Sequence, residues 1–359
     1  ALVPAPGGPH LPAPPPAPGG GLVAWGMDPE AWARLRRFMD EKGFGRFYVA
    51  QPENFAWLMG GESTLGMGEA VAYLEVGEGV VHTTRVEHPR IGEEEARGLP
   101  VQVHPWYAFP PPGSPSDLEH DLTPLRLVLS ARAQETFRKL GQEAALAVGE
   151  VVRQARTHWK EYQLAGALAE ALWTRGIRPL LLLVAGEGRL FRHRHPLPKD
   201  RPLGRAFMAV VCAYRNGLVA NLTRMAALDH PEVEARYRRV LEVERVALEA
   251  SRPGTTLGGV LAAIQKAYGE VGFPGAWEEH HQGGVGGFRS REVLATPGHP
   301  LVLQAGMALA WNPSLAGAKV EDTFLLTEEG LLNLTEDASW PMVAVGGRRR
   351  PDLLRHLHG

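Results

Sequence analysis

The sequence predicts an α+β protein made of two domains, and three observations support this fold class. A chain of 359 residues is long enough for two hydrophobic cores of ordinary size. Predicted helices and strands come in blocks, whereas a doubly wound α/β sheet would show strict alternation. A proline-rich breaker segment at residues 109–115 separates a shorter first half from a second half with longer helices. We therefore expect domains over residues 27–120 and 125–345, followed by a basic tail at residues 346–359.

The first 26 residues are expected to be a disordered or extended arm. Pro, Gly and Ala dominate this segment, and no apolar period is visible in it. It lacks the basic start and the apolar core of a secretory signal. The folded part is expected to begin near Met27, because Asp28 and Pro29 suit the N-cap and the first position of a helix.

The first domain is predicted to be a small α/β unit. Apolar residues recur at helical spacing over residues 32–42, and a strand is expected over residues 46–50. Two further strands, residues 68–77 and 80–84, are separated by a turn that contains glycine.

The second domain is predicted to contain longer elements. The expected helices are 131–155, 162–175, 231–250 and 256–271, and the expected buried strands are 180–185 and 206–214. The remainder, to about residue 345, is strand-rich with Gly-containing turns.

The composition excludes several kinds of partner. An apolar fraction of 44% and a charged fraction of 22% are those of a soluble globular protein. No apolar run approaches the roughly 18–20 residues that a membrane helix needs, so we expect no membrane partner. A net charge of −2 gives no electrostatic reason to expect nucleic acid. The short basic run at residues 348–350 is expected to be solvated surface.

The single cysteine, Cys212, excludes an internal disulfide and a cysteine-cluster zinc site. It lies in an apolar stretch and is expected to be a buried thiol with no reactive role. The cytoplasm is therefore the expected compartment. The excess of arginine over lysine suits a thermophilic source.

Six segments of the second half follow one another in the order and approximate spacing of a known motif set. They span residues 195–201 (HPLPKDR), 216–224 (NGLVANLTR), 252–256 (RPGTT), 280–287 (HHQGGVGG), 304–313 and 320–330. Together they resemble the superfamily of creatinase, prolidase, Xaa-Pro aminopeptidase (aminopeptidase P) and methionine aminopeptidase. The N-terminal half resembles it more loosely, through residues 52–60. The resemblance implies a creatinase-type N-terminal α/β domain, a pita-bread C-terminal domain with the active site in the concave face of its sheet, and a homodimer.

The resemblance also identifies the positions at which the peptidases of this superfamily hold two divalent ions. Their ligands, two Asp, one His and two Glu, correspond here to Val210, Asn221, Gly284, Asn312 and Glu321. Only Glu321 keeps a metal-binding side chain, and one carboxylate cannot offset the charge of two divalent ions. Without paired ions there is no metal-activated water to act as nucleophile. We therefore expect no metal cofactor and no dimetal peptidase activity.

Creatinase is similar in lacking these metal ligands while still cleaving a C–N bond with a histidine as proton shuttle. By this resemblance, His195, His280 and Glu321 are the candidate catalytic residues, and a histidine is the natural proton shuttle near pH 7. Creatine itself is not the expected substrate, because Thr223 stands where creatinase has a carboxylate.

Five further residues are candidates for contacts with a small-molecule or peptide ligand: Arg291, Glu292, Asn221, Asn312 and His281. A guanidinium at Arg291 would bind a carboxylate in a bidentate manner. Adjacent residues of a strand point to opposite faces, so at most one of His280 and His281 should enter the pocket. His280 is the one expected there.

Three functions remain open at this point. The first is a metal-independent hydrolase of a small amide or amidino substrate, in which His195 is the general acid and base and Arg291 binds a carboxylate. The second is a catalytically silent pseudo-peptidase that binds a peptide, a metabolite or a protein partner in the old cleft. The third is a metallo-aminopeptidase or dipeptidase with an altered site, such as one ion held by His193 or His195 with His280 and Glu321.

Overall fold

The computed structural model describes residues 27–61, 64–66 and 69–357, so the predicted arm at residues 1–26 lies outside the described residues. The chain divides into two units, with the boundary between Asp121 and Leu122. Both units contain helices and strands, as the predicted α+β class requires. Every residue of the candidate site belongs to the second unit.

The first unit contains a four-stranded sheet. Its elements are α1 (Pro29–Lys42), β1 (Phe47–Val49), α2 (Pro52–Met59), β2 (Leu65–Gly66), β3 (Glu69–Ala70), β4 (Ala72–Val76), β5 (Val80–Thr84), α3 (His88–Arg90) and β6 (Val101–His104). The sheet order is β1-β4-β5-β6, with β6 parallel to β5 and the other pairs antiparallel. A π-helical turn, Ile91–Glu95, continues α3, and a 3-10 turn, Trp106–Ala108, follows β6.

Helix α1 begins and ends where its capping residues dictate. The carboxylate of Asp28 accepts hydrogen bonds from the backbone N–H groups of Glu30 and Ala31, which would otherwise lack partners. The helix ends at Gly43, which has a φ of 73° in the left-handed region that favours glycine.

The second unit is larger. Its helices are α4 (Thr123–Arg126), α5 (Ala131–Gln154), α6 (Glu161–Trp173), α7 (Pro231–Ala250) and α8 (Leu257–Glu270). Its strands are β7 (Arg178–Ala185), β8 (Ala206–Arg215), β9 (Leu218–Ala227), β10 (Gly283–Gly286), β11 (Val293–Leu294), β12 (Ala308–Trp311), β13 (Ser314–Leu315), β14 (Ala318–Lys319), β15 (Asp322–Thr327), β16 (Gly330–Asn333), β17 (Met342–Val345) and β18 (Arg348–Pro351). A 3-10 turn, Ala276–Glu279, precedes β10.

Two antiparallel sheets carry the candidate site. One has the order β7-β8-β9, and the other has the order β11-β10-β12-β15-β16. Val210 on β8 lies opposite Thr223 on β9. The sheets are joined at a bridge where the backbone N–H of Thr223 donates to the carbonyl oxygen of Glu321 at 3.0 Å. This bridge holds Glu321 beside the middle of β9.

The hydrophobic core of the second unit is formed by α7, α8 and both sheets. Val240 on α7, Ile264 on α8, Val210 on β8 and Leu309 on β12 are among its buried members. The site therefore borders a packed core, and its polar residues His195, His281, Arg291 and Asn312 lie in the segments that connect the strands.

The predicted basic tail at residues 346–359 requires a correction. Residues Arg348–Pro351 form β18, which pairs with β17. Arg350 is 1% exposed, although the run 348–350 was expected to be solvated surface. Its guanidinium is buried because the carboxylates of Glu244 and Asp322 lie 2.6–2.7 Å from it and balance its charge.

Strand β7 is less buried than the sequence predicts. Residues 180–185 were expected to be buried throughout, yet Leu180 and Leu181 are 47% and 39% exposed. The register shifts between Pro179 and Leu181, which leaves Leu180 without a partner residue on β8, the only described strand that adjoins β7. Among the described residues, no helix is both long enough and apolar enough to span a membrane.

Candidate functional site

A cavity of about 240 Å³ in the second unit collects most of the residues that the sequence singles out. Its walls combine apolar side chains from β7, β8 and β11 with polar and charged groups. The lining residues are Leu181, Leu183, His195, Val210, Cys212, His281, Ser290, Arg291, Leu294, Asn312, Lys319 and Glu321.

Glu321 is the carboxylate of this cavity, and three side chains surround it. The Thr223 hydroxyl donates to Oε1 at 2.9 Å, and Nη2 of Arg291 donates to Oε2 at 2.7 Å. The Lys319 ammonium nitrogen lies 3.8 Å from Oε1. Burial alone would raise the pKa of Glu321, but Lys319, Arg291 and the Thr223 hydroxyl outweigh it and lower the pKa to about 2. Glu321 is therefore ionised, and its carboxylate already faces the cationic side chains of Arg291 and Lys319.

Lys319 belongs to none of the motifs in the sequence, yet it lies at the centre of the site. Its side chain is only 4% exposed, and Nζ has no hydrogen-bond partner among the described residues. Burial lowers its pKa, and the neighbouring Glu321 only partly opposes that effect. The available signal is its position two residues before Glu321, which puts both side chains on one side of an extended chain.

His195 and His280 form a hydrogen-bonded pair whose proton positions follow from their partners. Nδ1 of His280 lies within hydrogen-bond distance of the His281 carbonyl oxygen, which can only accept, so this nitrogen carries a hydrogen. Nε2 of neutral His280 then accepts from Nε2 of His195, 2.6 Å away. Nδ1 of His195 is consequently without a hydrogen and available as a base.

All three histidines of this cluster are held neutral near pH 7. Burial, reinforced by Lys319, lowers the pKa of His280 to about 3 and also lowers the pKa of His195. Burial, reinforced by Arg291 and Lys319, lowers the pKa of His281 to about 4. A neutral imidazole can act as a general base, because it has a free lone pair for a proton from a reacting group.

His281, and not His280, lines the cavity, which differs from the sequence prediction. The two rings remain in contact, with centroids 4.3 Å apart, but only that of His281 reaches the cavity wall. His280 contacts the site through His195 instead. The Gly283 N–H donates to Nδ1 of His281 at 3.2 Å, so Nε2 of neutral His281 carries the hydrogen.

Of three other predicted ligand contacts, Asn312, Asn221 and Glu292, one lines the cavity and two do not. Asn312 lines it, and its side-chain oxygen is buried with no hydrogen-bond partner among the described residues. Asn221 is not a lining residue, because its amide exchanges hydrogen bonds with Ser290 at 2.7 and 3.2 Å. Glu292 forms a buried bidentate pair with Arg126 at 2.8 and 3.0 Å and does not line the cavity.

The residues present do not fit the pair of divalent ions that the superfamily implies. A Cβ added to Gly284 would lie 2.1 Å from the carbonyl oxygen of Val293, so this position has no room for an imidazole. Glu321 already binds Arg291 and faces Lys319, two cations that would repel a metal ion. Val210 and the two asparagines offer no anionic ligand.

A single ion on the histidine cluster fits poorly as well. Ligand atoms of His195, His280 and His281 lie within 4.8 Å of one another, which is the spacing of a potential metal site. Coordination through Nε2 of His281 would, however, require a hydrogen on Nδ1, which already accepts the Gly283 N–H. His193 is not part of this cluster and lines a smaller neighbouring cavity.

Comparisons with known proteins agree with this fold. Residues 135–328 match the family model for metallopeptidase family M24. The probable dipeptidase PepE of Mycobacterium tuberculosis is 28% identical over 223 residues, which are 58% of this chain and 59% of PepE. The chain thus spans less than two thirds of the PepE relatives that it matches in sequence.

Two further proteins match over most of their length. The Xaa-Pro dipeptidase of Pyrococcus furiosus is 23% identical over 346 residues, which are 86% of this chain and 98% of that protein. The crystal structure of dipeptidase PepE from Mycobacterium ulcerans superposes with a TM-score of 0.70 at 20% identity, covering 91% of this chain and 98% of PepE. These likenesses confirm the predicted creatinase-type, pita-bread α+β fold.

Proposed function

This chain belongs to metallopeptidase family M24, and on that premise we propose that it functions without a metal ion and binds a small carboxylate. In this proposal the dimetal peptidase activity has been lost. The observation that carries it is the buried amine of Lys319, which faces the cavity beside a carboxylate that Arg291 already neutralises.

Charge is the first argument for this proposal. The cavity holds one carboxylate, Glu321, against two basic side chains, Arg291 and Lys319. Two divalent ions would add four positive charges to this site without the carboxylates that normally offset them. A ligand carboxylate instead supplies the missing negative charge. A cationic amidino group would add a further positive charge beside Arg291 and Lys319, so such a ligand is disfavoured.

The remaining lining residues narrow the ligand class. Leu181, Leu183, Val210 and Leu294 form apolar walls, which suit a short aliphatic group. The unpartnered side-chain oxygen of Asn312 can accept from an amide or amine N–H of the ligand. The cavity is smaller than the roughly 300–1,000 Å³ of sites for drug-sized ligands. An amino acid, an acylated amino acid or a short peptide fits these features.

The proposal is tested with protein purified without added metal. We expect well under one ion per chain by elemental analysis, and no cleavage of Xaa-Pro dipeptides when Mn²⁺, Co²⁺ or Zn²⁺ is added. N-acetylalanine should raise the melting temperature, whereas its primary amide, a neutral isostere, should not. Two tightly bound ions with dipeptide cleavage, or equal stabilisation by the acid and the amide, would contradict the proposal.

A second candidate function rests on the histidine pair. Because His280 holds the hydrogen of His195 Nε2, Nδ1 of His195 is an available base at the cavity wall. We propose, as the alternative, a metal-independent hydrolase of small amides in which His195 moves the proton. Turnover in the presence of a chelator that is abolished in His195→Ala would favour it. Turnover unchanged in that variant would exclude it.

The assembly and the compartment are also proposals. We propose a homodimer, as the resemblance implies, and the exposed Leu180 on edge strand β7 supports a buried role in an assembly. Light scattering should then give twice the chain mass, and Leu180→Asp should weaken the dimer; a wild-type monomer would exclude it. The single cysteine supports a reducing compartment such as the cytoplasm.

A further inference from the structure

We propose that Lys319 is an amine nucleophile that forms a Schiff base with a small 2-oxo acid bound in the cavity. This inference rests on the proposed function, since it assumes that the same cavity accepts a carboxylate. It goes beyond that function by assigning a covalent reaction to one atom, Nζ of Lys319.

The position of Nζ is the first support. Lys319 lines the cavity, its side chain is 4% exposed, and Nζ has no hydrogen-bond partner among the described residues. Five of the other lining residues, Leu181, Leu183, Val210, Cys212 and Leu294, have apolar or weakly polar side chains. A buried lysine in such surroundings is the usual form of a Schiff-base lysine.

Charge balance is the second support. Nη2 of Arg291 lies 2.7 Å from Glu321, whereas Nζ of Lys319 lies 3.8 Å from it. The permanently charged guanidinium therefore neutralises this carboxylate by itself. With an ammonium at Lys319 the cavity therefore carries one uncompensated positive charge, which the carboxylate of a bound 2-oxo acid balances. Nζ becomes nucleophilic when it gives one proton to Nδ1 of His195, a base that lines the same cavity.

The reaction balances without a cofactor. The lysine nitrogen attacks the carbonyl carbon, a C–N bond forms, and the carbonyl π electrons move to oxygen. A proton moves from nitrogen to that oxygen and gives a carbinolamine. One proton from solvent then lets the hydroxyl leave as water and produces the iminium ion. His195, whose Nδ1 is unprotonated, and His281, whose Nε2 carries a hydrogen, line the same cavity and can move and orient these protons.

The same charges favour a 2-oxo acid over a neutral aldehyde. The iminium ion carries one positive charge, which a neutral ligand would leave uncompensated in the cavity. The carboxylate of a 2-oxo acid lies two bonds from the iminium nitrogen and cancels that charge internally. The small cavity limits such a ligand to a few carbon atoms.

The test is reductive trapping on the full chain. The protein is incubated with pyruvate and sodium borohydride, and the modified peptide is identified by mass spectrometry. We expect one adduct per chain, on Lys319, with lactate as the control that has the carboxylate but no carbonyl. Propanal should label Lys319 at least tenfold less than pyruvate. Labelling of exposed lysines such as Lys266 in place of Lys319, or no labelling at all, would overturn the inference.

Two further measurements separate this inference from the proposed function. Lys319→Arg removes the primary amine, so this variant should lose the pyruvate adduct, and stabilisation of the wild-type chain by N-acetylalanine tests the proposed function separately. If that variant does not fold, the peptide mapping of the wild-type chain still decides the question. Stabilisation by N-acetylalanine without any pyruvate adduct would refute the Schiff base and leave the proposed function standing. Absence of both would refute both.

Discussion

Two buried charge clusters of the second unit differ in one respect, which is whether their charges balance. In the core cluster, Arg350 contacts Glu244 and Asp322, and Arg224 contacts Asp322 at 2.9 Å, so two guanidinium groups face two carboxylates. In the cavity cluster, Arg291 and Lys319 face Glu321 alone. The first is a closed structural network. The second has an unmatched cation beside open space, which is the arrangement of a binding site.

The largest expected effect comes from breaking the balanced cluster. Arg350→Met leaves Glu244 and Asp322 buried without that partner, so we expect a loss of about 3–5 kcal/mol in the free energy of unfolding. Urea denaturation measures it. The control is Glu242→Gln on α7, the helix that also carries Glu244. The pair of Glu242 with Arg245 is partly exposed, so this variant should lower the free energy of unfolding by less than about 1 kcal/mol. Equal losses in the two variants would contradict the comparison.

Acid should act on the cavity cluster through Glu321. Its pKa of about 2 in the folded protein lies below the ordinary value of 4.5. The stabilisation by ionised Glu321 is therefore fully present above pH 4.5 and is lost as the pH falls towards 2. The loss should amount to roughly 2–3 kcal/mol. Glu321→Gln should flatten this part of the stability–pH curve, and an unchanged slope would refute the ion pairing.

A methionine at position 319 should have a much smaller effect than one at position 350. Lys319→Met leaves the Arg291–Glu321 pair neutral and removes an amine that is costly to bury, so stability should change by less than about 1 kcal/mol or rise. Urea denaturation of Lys319→Met and Arg350→Met under the same conditions compares their free energies of unfolding. N-acetylalanine should no longer stabilise this variant. A loss as large as that of Arg350→Met would mean that both clusters are structural.

The smallest expected effect is that of metal removal. Prolonged treatment with a chelator should leave the melting temperature unchanged, because Glu321 is bound to Arg291 and Gly284 offers no ligand. A marked drop that Mn²⁺ or Zn²⁺ restores would show that an ion belongs to the fold.

The sequence predicts much of this architecture because helix boundaries and buried strands are local properties. The helix at residues 231–250 has the predicted bounds, since Pro231 starts it and the apolar period ends at Ala250. The motif order also located His195, Asn312 and Glu321, three residues that line the cavity. Such positions follow from spacing along the chain.

Pairings between distant residues could not be predicted in this way. Glu292 was a candidate ligand contact until the fold brought Arg126 to it from 166 residues away. Arg350 was predicted to be solvated because its carboxylate partners, on α7 and at the start of β15, are distant in the sequence and the sequence does not show that they meet. The role of Lys319 depends on what surrounds Glu321, and a motif does not describe those surroundings.

β11 lies so close to Gly284 that a side chain cannot be introduced at this position without moving the backbone. Gly284 lies opposite Leu294, and the backbone from Val293 to Ala295 fills the space that a side chain would need. Point mutations at the other ligand positions cannot undo this, since the obstacle is backbone. An imidazole at position 284 would therefore require the backbone of β11 to move, so substitutions at the other four ligand positions could not by themselves restore the metal site of the family.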